Sequence, residues 1–204
     1  LGKIVRHAVK NNLIGLENLN GVPGTLGGAL IMNAGAWGGE ISENLIHVEL
    51  INSKNEIKNI LKKDLNFSYR KSSFKKDDIL LSAKFNLKKA DENIIHENFV
   101  KAQSGRRNTQ PLNQRSAGSL FKNPENNSAG KLLDDAGLKG FSIGDAVISD
   151  KHANFFINNG KASSNDMIRL IKKAHGEVLE RFKINLSLEV KLIGFNEDEI
   201  EGLC

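Results

Sequence analysis

The stretch Gly21-Val22-Pro23-Gly24-Thr25-Leu26-Gly27-Gly28-Ala29-Leu30-Ile31-Met32-Asn33-Ala34-Gly35-Ala36-Trp37-Gly38-Gly39 constrains this chain more than any other. Glycines at 21, 24, 27, 28, 35, 38 and 39 surround one short apolar run, so the backbone must turn repeatedly and approach something closely. Backbone N–H groups with no side chains over them can converge on phosphate oxygens, and Thr25 adds a hydroxyl donor in the same turn. A pair of tight turns with no ligand is the plainer reading of the same glycines. Neither G-x-G-x-x-G nor G-K-[ST] occurs here, so the stretch is not a Rossmann or P-loop fingerprint.

The totals limit what can surround it. A chain of 204 residues with 39% hydrophobic content can bury a core, which excludes a disordered chain. The formal charge of +5 favours an anionic partner, which nucleic acid, a membrane surface or a phosphorylated small molecule could each supply. Basic residues alternate with acidic ones and aromatics make up only 6%, so a base-stacking platform is not expected. The single cysteine, Cys204, excludes an internal disulfide framework and a cysteine metal cluster, and no other metal-ligand spacing occurs. Without a bilayer-length apolar run or a signal-peptide h-region, the expectation is a cytoplasmic monomer that contacts no membrane.

In chain order, Leu1, Ile4, Val5, Ala8 and Val9 predict an amphipathic helix ending near Gly15. It opens without Met or an N-cap, on an apolar face already in register, so the sequence is expected to be a piece of a longer protein. Leu45 to Ile51 reads as a strand with Ile46, Val48 and Leu50 on one face, followed by a turn at 52–55 and apolar packing at Ile57, Ile60 and Leu61. A second strand places Leu81, Ala83, Phe85 and Leu87 together, and a helix over 91–107 turns Ile94, Ile95, Phe99 and Ala102 inward. Composition shifts at Asn108-Thr109-Gln110-Pro111, where a domain boundary is expected. Beyond it come a short helix over 129–136, strand pieces over 141–157, and a long helix capped by Ser163 or Ser164. A last strand carries Leu186, Leu188, Val190 and Leu192 on one face, with Ser187, Glu189 and Lys191 on the other.

A second dense segment, Ser116-Ala117-Gly118-Ser119-Leu120-Phe121-Lys122-Asn123-Pro124, sets a hydroxyl, a cation and a carboxamide close together, as a polar pocket wall requires. On chemistry alone Ser119 is a turn residue, and no G-x-S-x-G elbow supports a hydrolase. The glycine-rich stretch, however, resembles the flavin-contacting loop of the PCMH-type (VAO-like) FAD-binding fold. Its wording, Val22 to Ala29 and then Met32 to Gly38, is most similar to the UDP-N-acetylenolpyruvoylglucosamine reductase (MurB) family. The Ser119 segment, Ala129-Gly130-Lys131-Leu132-Leu133-Asp134, Gly137-Leu138-Lys139-Gly140 and Lys151-His152-Ala153-Asn154-Phe155-Phe156-Ile157-Asn158 resemble later parts of the same family, in order, so the resemblance runs from about Leu1 to Gly194.

The resemblance implies an α+β chain: residues 1–107 as the second lobe of the FAD-binding fold, its first lobe absent, and residues 108–204 as a substrate-binding C-terminal domain. It implies FAD as cofactor, NADPH as reductant, and UDP-N-acetylglucosamine enolpyruvate as the substrate reduced to UDP-N-acetylmuramate in peptidoglycan synthesis. Arg70 matches the family's active-site arginine, Ser119 its proton-donating serine and Glu189 its active-site glutamate. Pro23, Gly24, Thr25, Gly27, Gly28, Asn33, Gly35 and Ala36 are the implied cofactor contacts, and Arg107, Lys122 and Asn123 the implied substrate contacts. The chemistry suits those residue types. A guanidinium stabilises the charge that grows on a carboxylate beside the hydride acceptor, and a hydroxyl can protonate a carbanion-like carbon. His152 is read as structural. Leu188 replaces the family's common proline, Trp37 its usual tyrosine or phenylalanine, and no residue replaces one subgroup's substrate tyrosine. Another PCMH-type FAD oxidoreductase, or a non-catalytic fragment that binds a nucleotide sugar, are the alternative readings.

Overall fold

The structure is a computed structural model describing residues 1–203; Cys204, the one cysteine, lies outside them. The chain divides into two compact units, Leu1–Arg106 and Arg107–Cys204.

The first unit opens with α1 (Gly2–Lys10), which buries Val5 and Ala8. The helix stops well before Gly15, because Asn12 adopts a left-handed φ of 54° and the chain enters the short strand β1 (Leu13–Ile14). Asparagine tolerates that conformation better than most residues. Helix α2 (Leu26–Ile31) starts at Thr25, whose Oγ1 accepts the Gly28 N–H at 3.1 Å. Strands β2 (Gly35–Ala36) and β3 (Gly39–Glu40) form a hairpin whose two-residue tip, Trp37-Gly38, has positive φ at both positions (52° and 82°).

Strand β4 (Leu45–Ile51) lies at the centre of a three-stranded antiparallel sheet, between β5 (Ile57–Leu61) and a later strand. A second tight hairpin intervenes, β6 (Phe67–Ser68) with β7 (Lys71–Ser72), before the third sheet strand, β8 (Ile79–Phe85). Strand β9 (Lys88–Lys89) returns to pair with β1, and α3 (Glu92–Thr109) follows. Val5, Leu16, Leu30, Ile41, Leu45 and Val48 are among the buried core.

Four expected inward residues face outward instead. The β4–β8 register shifts between Glu49 and Leu50, pairing Leu50 with Leu80; Leu80 packs on the core and Leu81 is 48% exposed. In a strand one residue of slip exchanges the two faces. In α3 the inward stripe is Ile95, Phe99 and Ala102, at i, i+4 and i+7; Ile94 sits about 100° away from it and is 51% exposed. Ile57 and Leu61, on the edge strand β5, are 66% and 42% exposed.

The second unit has its own core, including Phe121, Leu133, Ile148, Leu170 and Ile171. Strand β10 (Ser116–Ser119) precedes α4 (Ala129–Asp135), which is stopped at Gly137 with φ 73°. Strands β11 (Ser142–Ile143), β12 (Ala146–Ile148) and β13 (Phe155–Asn158) complete an antiparallel sheet ordered β10-β13-β12-β11. Helix α5 (Ser164–Phe182) covers it with Ile168, Leu170, Ile171, Ala174 and Val178 buried. The expected last strand is reduced to one bridge, Leu188 to Phe121. Its partner segment leaves at Pro124, which has no N–H to continue a ladder. The alternation survives: Leu186 is buried and Leu188, Val190 and Leu192 pack on the same core.

Candidate active site

The expected site residues fall in two groups, one in each unit. In the first unit the glycine-rich stretch presents an open backbone. Gly24 adopts φ 106° and Gly38 φ 82°, and a Cβ built on either would meet nothing within 4 Å. Pro23, Gly24, Thr25 and Gly28 are exposed, and Gly27, Gly35 and Ala36 are half-buried. Thr25 accepts the Gly28 N–H, which leaves its hydroxyl proton available for donation. A flat or phosphorylated group fits against such a surface. Asn33 is fully buried, with Nδ2 donated to Glu40 Oε2 at 2.6 Å and Ser68 O at 3.1 Å, so its side chain ties the stretch to both residues.

Arg70 belongs to the same cluster although it is 35 residues away from Gly35. It sits at the tip of the β6–β7 hairpin with φ 54°, donates from Nη2 to the Gly35 carbonyl at 3.0 Å, and lies over the Tyr69 ring at 4.9 Å. A carbonyl and an aromatic face both favour a cation, so these two contacts hold the guanidinium in place beside the glycine-rich stretch.

In the second unit Ser119, Lys122 and Glu189 are brought onto one paired segment. Ser119 ends β10 opposite Phe155, the Glu189 N–H donates to Leu120 O at 2.8 Å, and the Lys122 N–H donates to Ser187 O at 2.8 Å. The register shifts between Ser116 and Ser119, where Gly118 takes φ 85°. Ser119, Lys122 and Glu189 are all half-buried. Asn123 is exposed and its Oδ1 accepts the Ala129 N–H at 3.0 Å, so part of its carboxamide serves the start of α4. Arg107 is exposed and its carbonyl accepts Lys151 Nζ at 2.7 Å.

Several contributors escaped the sequence reading. Arg106, rather than Arg107, lies against the glycine-rich stretch: a Cβ at Gly21 would come 3.0 Å from its Cδ. Burial holds the Arg106 guanidinium below the ordinary arginine range. Asn154, buried in an apolar run, clamps Phe121 by both backbone groups, with Oδ1 accepting its N–H at 2.9 Å and Nδ2 donating to its carbonyl at 2.8 Å. This fixes the strand between Ser119 and Lys122. His175 Nε2 meets Asn185 Oδ1 at 2.6 Å and so anchors the chain just before Glu189. His152 is half-buried with its pKa lowered, chiefly by desolvation; its Nδ1 accepts the Asn154 N–H at 3.2 Å, leaving the ring neutral and protonated on Nε2. Among the described residues no group of three or more His, Asp or Glu is placed to hold a metal ion.

Residues 110–193 match the family described as UDP-N-acetylenolpyruvoylglucosamine reductase, C-terminal domain, and residues 1–61 match the FAD binding domain. The chain is 43% identical to the UDP-N-acetylenolpyruvoylglucosamine reductase of Agathobacter rectalis over 95% of its own length and 62% of that protein. It is 42% identical to the reductase of the same name from Aquifex aeolicus, over 95% of its length and 65% of the relative. The crystal structure of UDP-N-acetylenolpyruvylglucosamine reductase (MurB) from Thermus caldophilus superposes with a TM-score of 0.82 at 36% identity, covering 93% of this chain and 68% of that one. The chain belongs to the MurB family.

The two domain matches distribute the candidates. The FAD binding match contains Pro23 to Ala36, and the C-terminal match contains Ser119, Lys122, Asn123 and Glu189. Arg70 lies between them, in the hairpin tied to Gly35. The chain spans 62% and 65% of the two reductases it is compared with by sequence.

Proposed function

We propose that this MurB-family chain acts in the reduction of UDP-N-acetylglucosamine enolpyruvate to UDP-N-acetylmuramate, in peptidoglycan synthesis, with FAD as cofactor and NADPH as reductant. The observation that carries the reading is the fastening of Arg70 to the glycine-rich stretch through Gly35, in a chain matching the FAD binding domain and the reductase C-terminal domain. Pro23, Gly24, Thr25, Gly27, Gly28, Gly35 and Ala36 would hold the FAD. The chemistry supplied by FAD bound there would be hydride transfer, with NADPH as the source of the hydride.

The chain's own residues supply the rest. Arg70, charged and oriented by Gly35 and Tyr69, offsets the negative charge that develops on the substrate carboxylate and C2. That interaction is stronger in the transition state than in the ground state and so raises the rate. Ser119 gives its proton to C2, and Glu189 assists where it is oriented or protonated, since a bare carboxylate would oppose the growing charge. Lys122 and Asn123 meet the diphosphate and sugar. Arg106 or Arg107 meets a phosphate, Arg106 being the one beside Gly21.

The test is the visible flavin spectrum under anaerobic conditions, with FAD added, then NADPH, then substrate. Bleaching by NADPH and recovery on substrate addition is the expected result; free-flavin behaviour throughout overturns the assignment for this chain. Arg70→Lys and Ser119→Ala are expected to bleach normally and to slow the recovery by about 100-fold or more. Recovery at the parental rate in either variant removes that residue from the mechanism.

A further inference from the structure

Three hydrogen bonds join the Arg70 hairpin to the glycine-rich stretch. Ser72 Oγ donates to Ile31 O at 2.7 Å, Asn33 Nδ2 donates to Ser68 O at 3.1 Å, and Arg70 Nη2 donates to Gly35 O at 3.0 Å. Ser68 and Ser72 belong to the strands that flank the two-residue tip Tyr69-Arg70. Ser68 is exposed and Ser72 half-buried, whereas Asn33 is fully buried. Asn33 also donates to Glu40 Oε2, at 2.6 Å. Glu40 pairs across the β2–β3 hairpin with Gly35, the residue whose carbonyl receives Arg70. The Glu40 carboxylate takes a further bond from the Glu43 backbone in a capping box, and Glu43 Oε1 accepts the Glu40 N–H at 3.0 Å. Glu40 therefore reaches Arg70 by two routes, through Asn33 and Ser68 and through Gly35.

Two costs are carried at Asn33. Its backbone adopts a left-handed φ of 43°, and its Oδ1 is buried without a hydrogen-bond partner, which leaves its desolvation uncompensated. Turning the amide over would set Oδ1 against a carboxylate and a carbonyl, so the two acceptors fix its orientation. Arg70 carries a similar burden, since its φ of 54° brings Cβ of an L-residue close to the following carbonyl oxygen. A hairpin tip strained in this way relaxes unless its surroundings hold it.

We propose that Asn33 and Glu40 are positioning residues for Arg70, holding its guanidinium against Gly35 through the Asn33–Ser68 and Glu40–Gly35 contacts. This rests on the role given to Arg70 above. Neither residue needs to touch substrate or cofactor; together they make the glycine-rich stretch and the arginine one rigid piece, so that a ligand seated on the first finds the second at a set place.

The experiment has a cofactor-free arm and a kinetic arm. In the first, side-chain 15N relaxation of the Arg70 Nε–H is measured in the chain without cofactor, for the parent, Asn33→Ala, Glu40→Ala and Glu40→Gln. Arg70 is expected to be ordered in the parent, mobile in both alanine variants, and ordered again in Glu40→Gln, whose amide oxygen still accepts from Asn33. In the second, the rate at which substrate re-oxidises NADPH-reduced flavin is followed in a single turnover of the complete flavin-loaded protein. Asn33→Ala is expected to lower that rate by about 10- to 100-fold when Arg70 is present and to add nothing in an Arg70→Ala background. Glu40→Ala supplies the same comparison where Asn33→Ala does not fold. An unchanged Arg70 signal, or an equal loss of rate in both backgrounds, overturns the proposal. If Arg70→Ala alone re-oxidises at the parental rate, it is the reactive role of Arg70 that fails, and the relaxation arm still decides whether Asn33 and Glu40 hold it.

Discussion

Two helical glycines show how far a single residue's meaning depends on what it meets. A Cβ at Gly105, in α3, would come 2.5 Å from the Trp37 ring, whereas a Cβ at Gly176, in α5, meets nothing within 4 Å. Gly105→Ala must push Trp37 aside and is expected to cost about 1–3 kcal/mol, read by urea denaturation, with an altered emission from this single tryptophan. Gly176→Ala relieves backbone entropy in a helix and is expected to stabilise the chain by roughly 0.5–1 kcal/mol in the same assay. Asn154→Ala leaves the Phe121 N–H and C=O unpaired in the core, at an expected cost of about 2–4 kcal/mol. None of these differences could be read from the sequence, where each glycine is only a weak spot in a helical pattern. Asn154 stands 33 residues away from the backbone it clamps. Asn33 was visible as part of a resemblance, but only the fold shows that its amide faces inward.

At the scale of elements, the sequence reads best where one strong local signal decides. The β4 strand runs over the predicted span, and α5 begins at Ser164 with Ser163 as its cap, one of the two serines the sequence offers for that place. Register and termination read worst, because both depend on partners distant in sequence: the slip opposite Glu49, and the bridge at Leu188 whose partner departs at Pro124. The α5 cap also carries a pH signature. Ser163 Oγ and its backbone N–H hold the Asp166 carboxyl below its ordinary range. A depressed folded pKa means that Asp166 contributes its stability fully above the unfolded value of about 4, and that the contribution disappears as pH falls through the folded value. Glu177, paired with Lys173 and then Arg181, shifts in the same direction. Asp166→Asn is accordingly expected to unfold earlier than the parent at neutral pH and to converge with it as the solution is acidified through the folded pKa of Asp166, measured as thermal midpoints from neutral to acid pH.

The whole molecule is two cores on one chain. Composition shifts at Asn108 to Pro111, whereas the packing divides the chain between Arg106 and Arg107, inside α3. Hydrophobic periodicity marks where a helix ends; it carries no information about where side chains exchange one core for another. Each unit is near the size at which a domain can bury enough apolar surface to stand alone, and the second has its own buried set from Leu120 to Leu203. Separate cores allow separate transitions, and the single tryptophan lies in the first unit, so its emission reports on that unit. Leu170 is fully buried in the second unit, and Leu170→Ala is expected to remove about 2–5 kcal/mol there. In urea the far-UV circular dichroism of this variant should acquire an earlier phase while the Trp37 transition keeps its parental midpoint. If the Trp37 midpoint moves together with the early phase, the chain unfolds as one cooperative body, and substitutions at Arg70 and at Ser119 would then have to be judged against a shared loss of stability.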